Sequence, residues 1–356
     1  MHSMQMIDLR SDTVTQPTAD MLHAMAAAKL GDDVFREDPS VIELERLAAD
    51  LIGKAEALFV ASGTMGNLVS LMTHAQPGNE VILERSSHIS IGEGGGITRI
   101  AGLMPRLYDA SDGTVPVERI RRLIQRSGAH FEGQTKLICL ENTHNALGGV
   151  PVSVEETERL GALVAEYGLK LHIDGARLFN AAEVLGVSAA DLAAPADSVM
   201  FCLSKGLCAP VGSIIAGSGD FISRARRNRR LLGGGMRQAG VLAAAGIVAL
   251  RDMVHRLSED HLAAAYLASA LNSVPGIHVE SVTQRTNMVY VDCRELGCPA
   301  AELARLLSAK DVRLLALGVH RLRMVTHYGI SAADADRVCQ AFRDAVQFVQ
   351  TNAQAE

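Results

Sequence analysis

The 356-residue chain lacks the marks of several large protein classes. Its six cysteines, at 139, 202, 208, 293, 298 and 339, form no C-x-x-C, which argues against a disulfide frame or a zinc site. Two of them sit inside apolar, strand-like runs, so buried reduced thiols in a cytoplasmic protein are expected. There is no long block of like charge. A net charge of −6 argues against a general nucleic-acid binder and offers no polybasic patch to a membrane. The longest apolar run, 239–250, is too short to span a bilayer and reads as a buried helix. The opening Met1-His-Ser-Met-Gln-Met-Ile-Asp8 has neither the charged start nor the apolar stretch of a signal peptide. No repeat or low-complexity tract is present. Also missing are the G-x-S-x-G elbow, the G-x-x-x-x-G-K-[ST] phosphate loop and H-E-x-x-H. What remains is a chain 48% apolar and 21% charged, ordinary for a soluble globular protein and long enough for two domains.

From about residue 40 to 250, helical and strand patterns alternate. Val41–Ile52 carries apolar residues at helical spacing, Ala57–Ala61 is strand-like and Thr64–Ala75 helical. Further strands are expected at Val81–Leu83, Lys136–Leu140, Lys170–Ile173, Ser198–Leu203 and Ser213–Ala216, with helices at Val117–Gln125 and Ser153–Glu166. Short continuous apolar strands separated by helices predict an α/β fold with a mostly parallel sheet covered on both faces. A long helical region, about Ala239–Ser273, ends at Pro275-Gly276. The remainder reads as strand, helix, two strands and helix, a smaller α+β domain. The expected division is 1–250, an N-terminal segment with the large domain, and 251–356.

Two strand ends carry the chemistry. Asp197-Ser-Val-Met-Phe-Cys-Leu-Ser-Lys205-Gly206 delivers a lysine from an apolar strand into a tight turn. Leu171-His-Ile-Asp174-Gly-Ala-Arg177 ends another strand in a carboxylate and a guanidinium. Singly, Asp174 reads as a turn former and Lys205 as a surface lysine. Together they suit a carbonyl cofactor, because an amine can form a Schiff base while a carboxylate keeps a ring nitrogen protonated. Phe59-Val-Ala-Ser62-Gly63-Thr64 joins a strand to a helix whose leading N–H groups favour an anion, although an ordinary Ser N-cap is the commoner meaning of such a run. Gly92-Glu-Gly-Gly-Gly96 has the wrong glycine spacing for a dinucleotide loop and reads as a mobile turn.

These runs, with several others, resemble the L-threonine aldolases, within the β-eliminating lyases and threonine aldolases of pyridoxal phosphate (PLP) fold type I. The resemblance is carried in order by Ile7-Asp-Leu-Arg-Ser11-Asp-Thr-Val-Thr15, Gly31-Asp-Asp-Val34 with Glu37-Asp-Pro39, Ser62-Gly-Thr64, Leu140-Glu-Asn-Thr-His-Asn145, His172-Ile-Asp-Gly-Ala-Arg177, Leu203-Ser-Lys-Gly206, Gly233-Gly-Gly-Met-Arg-Gln238 and Arg323-Met-Val-Thr-His327. It implies a seven-stranded sheet and a PLP-dependent carbon–carbon lyase. Such an enzyme cleaves L-threonine, L-allo-threonine or related β-hydroxy-α-amino acids to glycine and an aldehyde. It also implies a homotetramer with shared active sites. A β-eliminating lyase or another PLP enzyme on the same scaffold is the alternative.

The resemblance further implies roles. Lys205 would hold PLP through its amine, Asp174 its pyridine nitrogen and Arg177 its phenolic oxygen. Ser62, Gly63 and Thr64 would take the phosphate, with help from Arg237. His88 would stack on the cofactor near the substrate. Ser11 and Arg323 would bind the substrate carboxylate, and His130 would approach its hydroxyl. His88, His130 or a water would serve as base. His144 and His327 lie inside these motifs and read either as structural hydrogen-bonding residues or as catalytic ones, and His172 reads as a strand histidine packing beneath the site. Departures from the family pattern include Phe35-Arg36 for Tyr-Gly and Cys208 for Gly.

Overall fold

The computed structural model describes residues 6–110, 114–124, 133–282 and 285–353. The chain divides into two compact units, Gln16–His255 and Met1–Thr15 with Arg256–Glu356. The strands run in chain order as β1 (Ile7–Asp8), β2 (Glu56–Val60), β3 (Glu80–Glu84), β4 (Met104–Tyr108), β5 (Thr135–Glu141), β6 (Lys170–Asp174), β7 (Ser198–Cys202), β8 (Ser213–Gly217), β9 (His278–Val279), β10 (Met288–Asp292), β11 (Val312–Arg313), β12 (Leu315–Leu317) and β13 (Arg321–Val325).

The large unit holds a seven-stranded sheet in the order β2-β8-β7-β6-β5-β3-β4. All neighbours are parallel except β8, which is antiparallel to both β2 and β7. Six strands therefore end on one edge. Every residue of β3, β7 and β8 is buried, because helices cover both faces and leave no side of the pleat for polar residues. On one face Leu58 and Val60 pack with Val69 of the Gly63–His74 helix and with Phe221, Ile222 and Ala225 of the Gly219–Leu231 helix. Phe59, between them, alternates to the other face.

Local chemistry sets the helix ends. Asp38 caps Pro39–Ile52 by accepting from Ser40 N and Val41 N, both at 3.1 Å. Gly53, at φ 66°, turns the chain out of that helix in a conformation a side chain would resist. Strand β4 is not legible in the sequence. It is an edge strand whose Met104 and Pro105 are exposed, so it shows neither an apolar run nor a good strand composition. The long helical region is also not continuous. It comprises Gly240–Val248, a π turn at Ala249–Met253 and a second helix, Leu257–Leu271. Apolar residues continue through the break, which periodicity therefore does not mark.

The smaller unit has an antiparallel sheet in the order β12-β13-β10-β9. Val289, Val291, Leu322 and Met324 pack against Leu267, Leu303, Leu307, Val338 and Phe342. The parallel pair β1–β11 brings Ile7 and Leu9 into the same core, so residues just after the N-terminus belong with the C-terminal part of the chain. Among the described residues no helix is long and apolar enough to cross a membrane.

Candidate active site

The carboxyl edge of the large sheet gathers the chemistry-bearing residues of that unit, as expected for open parallel sheets. Ser62 follows β2, His88 follows β3, Glu141 ends β5, Asp174 ends β6 and Lys205 follows β7. Each strand is fixed by its neighbours, so the side chains inherit their positions from the sheet register. The Lys205 turn is pinned on both flanks: Leu203 N donates to Gly212 O at 3.0 Å, Cys208 N to Lys205 O at 2.9 Å and Ala209 N to Leu203 O at 3.0 Å.

Asp174 is only 1% exposed. Its Oδ1 accepts from Ala176 N at 3.2 Å and its Oδ2 from Asn67 Nδ2 at 2.9 Å. Asn67 is itself fully buried on the Gly63–His74 helix and is the hub of the site. Its amide nitrogen also donates to Glu93 Oε1 at 2.8 Å, and its Oδ1 meets His172 Nε2 at 3.1 Å. His172 Nδ1 in turn meets Ser198 Oγ at 2.8 Å, and His74 Nε2 meets the same hydroxyl at 2.7 Å. Burial drives the His172 imidazole down to about 3, so it is neutral at pH 7. His172 thus lies beneath the edge as a structural hydrogen-bonding residue.

His88 opens a short helix, His88–Ile91, and its side chain is 43% exposed. Its backbone N–H donates to Glu141 Oε2, while its Nδ1 lies 3.0 Å from Glu93 Oε1. The hydrogen bond to Glu93 holds the imidazole above its ordinary value, against the effect of burial. Burial pushes the Glu93 carboxyl up, and Asp174 adds repulsion. One ligand-capable atom each of His88, Glu93 and Asp174 lies within 4.8 Å of the others. Sequence reasoning missed Glu93. The turn it sits in is where it was expected, but Glu93, with a side chain 4% exposed, anchors that turn to the sheet edge.

Ser62 caps the Gly63–His74 helix, its hydroxyl accepting from Met65 N at 3.2 Å. The N–H groups of Gly63 and Thr64 are therefore the helix's leading donors. A Cβ at Gly63 would lie 3.0 Å from Cys202 Sγ and 3.3 Å from Met200 Cε, a crowding that glycine avoids where the helix start sits close to β7. Arg177 is buried just before the Leu178–Leu185 helix. Arg237 is different: its side chain is 61% exposed and its Nη1 pairs with Asp32 Oδ2 at 3.1 Å.

In the smaller unit, Arg323 on β13 donates from Nη2 to Arg10 O at 3.0 Å, next to Ser11 in the chain. His327 is occupied by backbone carbonyls, with Nδ1 2.9 Å from Tyr328 O and Nε2 2.8 Å from Asp8 O. His144, in the large unit, pairs through Nε2 with Glu84 at 3.1 Å. His130 lies outside the described residues.

The sequence profile described as beta-eliminating lyase matches residues 8–294, most of the chain and every strand of the large sheet. The chain belongs to the beta-eliminating lyase family. Within that family it is 46% identical over 351 residues to low-specificity L-threonine aldolase 1 of Arabidopsis thaliana, covering 98% of each chain. It is 42% identical over 339 residues to the low specificity L-threonine aldolase of Escherichia coli strain K12, covering 95% of this chain and 98% of that one. Its fold matches the Leishmania major threonine aldolase with a TM-score of 0.82 at 22% identity, over 96% of this chain and 99% of that one. The beta-eliminating lyase architecture seen here is fold type I of the PLP-dependent enzymes.

Two departures noted in the sequence now have a structural meaning. Arg36 and Cys208, read above as departures from what the resemblance implies, both adopt positive φ, 61° and 63°. Both positions hold the left-handed backbone that glycine adopts most readily.

Proposed function

We propose that the protein is a PLP-dependent aldehyde-lyase, an aldolase that cleaves L-threonine, L-allo-threonine and related β-hydroxy-α-amino acids to glycine and an aldehyde. One observation carries the reading. A carboxylate locked by two donors, Asp174, shares a sheet edge with Lys205 and with a helix N-terminus made accessible by Gly63. That set matches what pyridoxal phosphate asks of a protein: an acid for its ring nitrogen, an amine for its aldehyde and N–H donors for its phosphate. The high identity to L-threonine aldolases over nearly the full chain supports the substrate class.

In this reading Lys205 holds the cofactor through nitrogen, Asp174 takes the pyridine nitrogen and Arg177 the phenolic oxygen. Ser62, Gly63 and Thr64 take the phosphate, joined by Arg237, whose exposed guanidinium suits a role across a subunit interface. Bound there, pyridoxal phosphate supplies an electron sink for the pair released when the substrate Cα–Cβ bond breaks. Arg323 and Ser11 bind the substrate carboxylate; a planar guanidinium grips both oxygens and fixes rotation about the N–Cα bond. His88 and His130 are the candidates assigned to the substrate hydroxyl, and a base removes the β-hydroxyl proton. Asn67 keeps Asp174 in place, and the sheet edge keeps the reacting groups at fixed spacing.

The same reading makes the protein a homotetramer, a dimer of dimers with shared active sites. Large apolar side chains left exposed on the isolated chain, among them Phe35, Ile42 and Ile91, support an assembly that covers them. A cytoplasmic location fits six free, buried cysteines. The deciding experiment incubates the purified protein with PLP and L-threonine or L-allo-threonine and measures acetaldehyde with glycine, and 2-oxobutanoate with ammonia, in parallel. Acetaldehyde and glycine in equal amounts are expected. 2-Oxobutanoate and ammonia, or no turnover of any hydroxy amino acid, overturn the reading.

A further inference from the structure

We infer that Glu93 is the positioning residue for His88, fixing its tautomer and making its Nε2 the proton acceptor of the reaction. The inference deepens the aldolase reading and rests on it. It begins with Asn67, whose orientation is set independently of His88. Asn67 Nδ2 lies within bonding distance of two carboxylate oxygens, Glu93 Oε1 at 2.8 Å and Asp174 Oδ2 at 2.9 Å. It therefore spends both N–H bonds there, and Oδ1 faces His172. Glu93 Oε1 is thereby an acceptor. With Glu93 ionised, the His88 Nδ1, 3.0 Å from that same oxygen, donates to it. A neutral His88 then carries its hydrogen on Nδ1 and its lone pair on Nε2. Gly92 makes the arrangement possible. A Cβ there would lie 2.7 Å from His88 Cδ2 and 2.8 Å from Nε2, so any other residue would displace the ring.

The chemistry follows from that tautomer. The substrate's β-O–H bond breaks and its proton passes to His88 Nε2. The oxygen's pair becomes the second C–O bond of the aldehyde, and the Cα–Cβ pair stays on Cα. One proton then returns to Cα to give glycine, so the imidazole ends as it began. While His88 holds the proton, Glu93 is the carboxylate that steadies the imidazolium, as a buried acid does behind a catalytic histidine. Other charged groups face the pair. Asp174 favours the imidazolium and Lys205 opposes it, Glu141 accepts from the His88 backbone, and Cys139 lies near Glu93 without an ionised thiol, because burial pushes that thiol well up. Of these acids, Glu93 makes the hydrogen bond to the ring.

Glu93→Gln tests the assignment, because it keeps an acceptor oxygen and the shape while removing the charge. The first readout is the His88 titration midpoint in PLP-loaded, perdeuterated protein carrying ring-13C histidine, with the signal assigned by His88→Asn. The midpoint should fall by about one pH unit in Glu93→Gln. The acid limb of kcat/KM, which reports the fraction of neutral base, should move to lower pH by the same amount. The plateau kcat should drop roughly 10- to 100-fold with KM little changed. In a His88→Asn background Glu93→Gln should cost less than about twofold, because the residue acts through the ring. An unmoved midpoint, an unmoved acid limb, or an equal loss in the His88→Asn background overturns the assignment while leaving the aldolase reading standing. Wild-type protein that releases no aldehyde overturns both.

Discussion

Replacing Arg36 with glycine should make the protein more stable. Arg36 sits at φ 61°, where a Cβ crowds the backbone, at a cost of about 1–2 kcal/mol for a non-glycine residue. Its side chain is exposed, and its backbone N–H bonds to Asp33 O at 3.0 Å, a contact that glycine keeps. Glycine gives back roughly 0.5–1 kcal/mol through the entropy of the unfolded chain. The net gain is about 0.5–1 kcal/mol, which in a chain of this size raises Tm by about 1 °C. Arg36→Ala is the control, since it removes the guanidinium but retains the Cβ. Urea melts of the three proteins at one concentration measure the difference. Arg36→Gly should exceed both wild type and Arg36→Ala. If the alanine variant equals or exceeds the glycine one, backbone strain at this position is not what matters. Cys208, at φ 63° but fully buried, should behave differently. Its glycine variant relieves similar strain but loses a packed thiol worth about 1–2 kcal/mol, so it should not gain stability.

Other expectations follow from buried polar groups. Asn67→Ala strands the His172 ring N–H and strips a donor from both Asp174 and Glu93, so it should cost about 3–5 kcal/mol in chemical denaturation and abolish most turnover; a loss below about 1 kcal/mol would show that the hub is not real. Arg229 and Asp33 form an ion pair at 2.7 Å with both side chains 2% exposed, and Arg229→Met should cost up to about 3–5 kcal/mol by leaving Asp33 only the longer 4.0 Å contact to Arg226, whereas Arg229→Met combined with Asp33→Asn should recover part of that loss. His74 is driven by burial down to about 3, so its neutral form contributes stability that is fully present above about pH 6.5 and is lost as the pH falls toward 3. His74→Gln should therefore flatten the fall in stability over that range by up to about 1.4 kcal/mol per pH unit, as read by urea melts at each pH. A pH dependence identical to wild type would contradict it.

Much of the large unit was legible because its strands are buried on both faces. Runs such as Ser198–Cys202 announce themselves without alternation, and the residues at their ends, Asp174 and Lys205, fall where ligands of such sheets bind. What failed to show had a common cause in distance. Glu93 looked like part of a glycine turn because its partner Asn67 is 26 positions away, and Asp174, held by the same amide, lies 107 positions from that asparagine. An acid set among glycines five residues after a histidine was the available signal. Strand β4 was hidden by Pro105 and by its edge position, and the π turn after Val248 by apolar residues that run straight through it. Residues 6–15 read as a prelude to the large domain, yet Ile7 and Leu9 pack with Val312 and Leu314, a pairing no local pattern encodes.

The most direct test is chemical. Protein supplied with pyridoxal phosphate, reduced with borohydride and digested should carry the pyridoxyl mass on the peptide containing Lys205. Lys205→Ala should lose that label together with turnover. A label on another lysine, or none at all on protein that still cleaves threonine, would contradict the assignment on which the proposed chemistry depends.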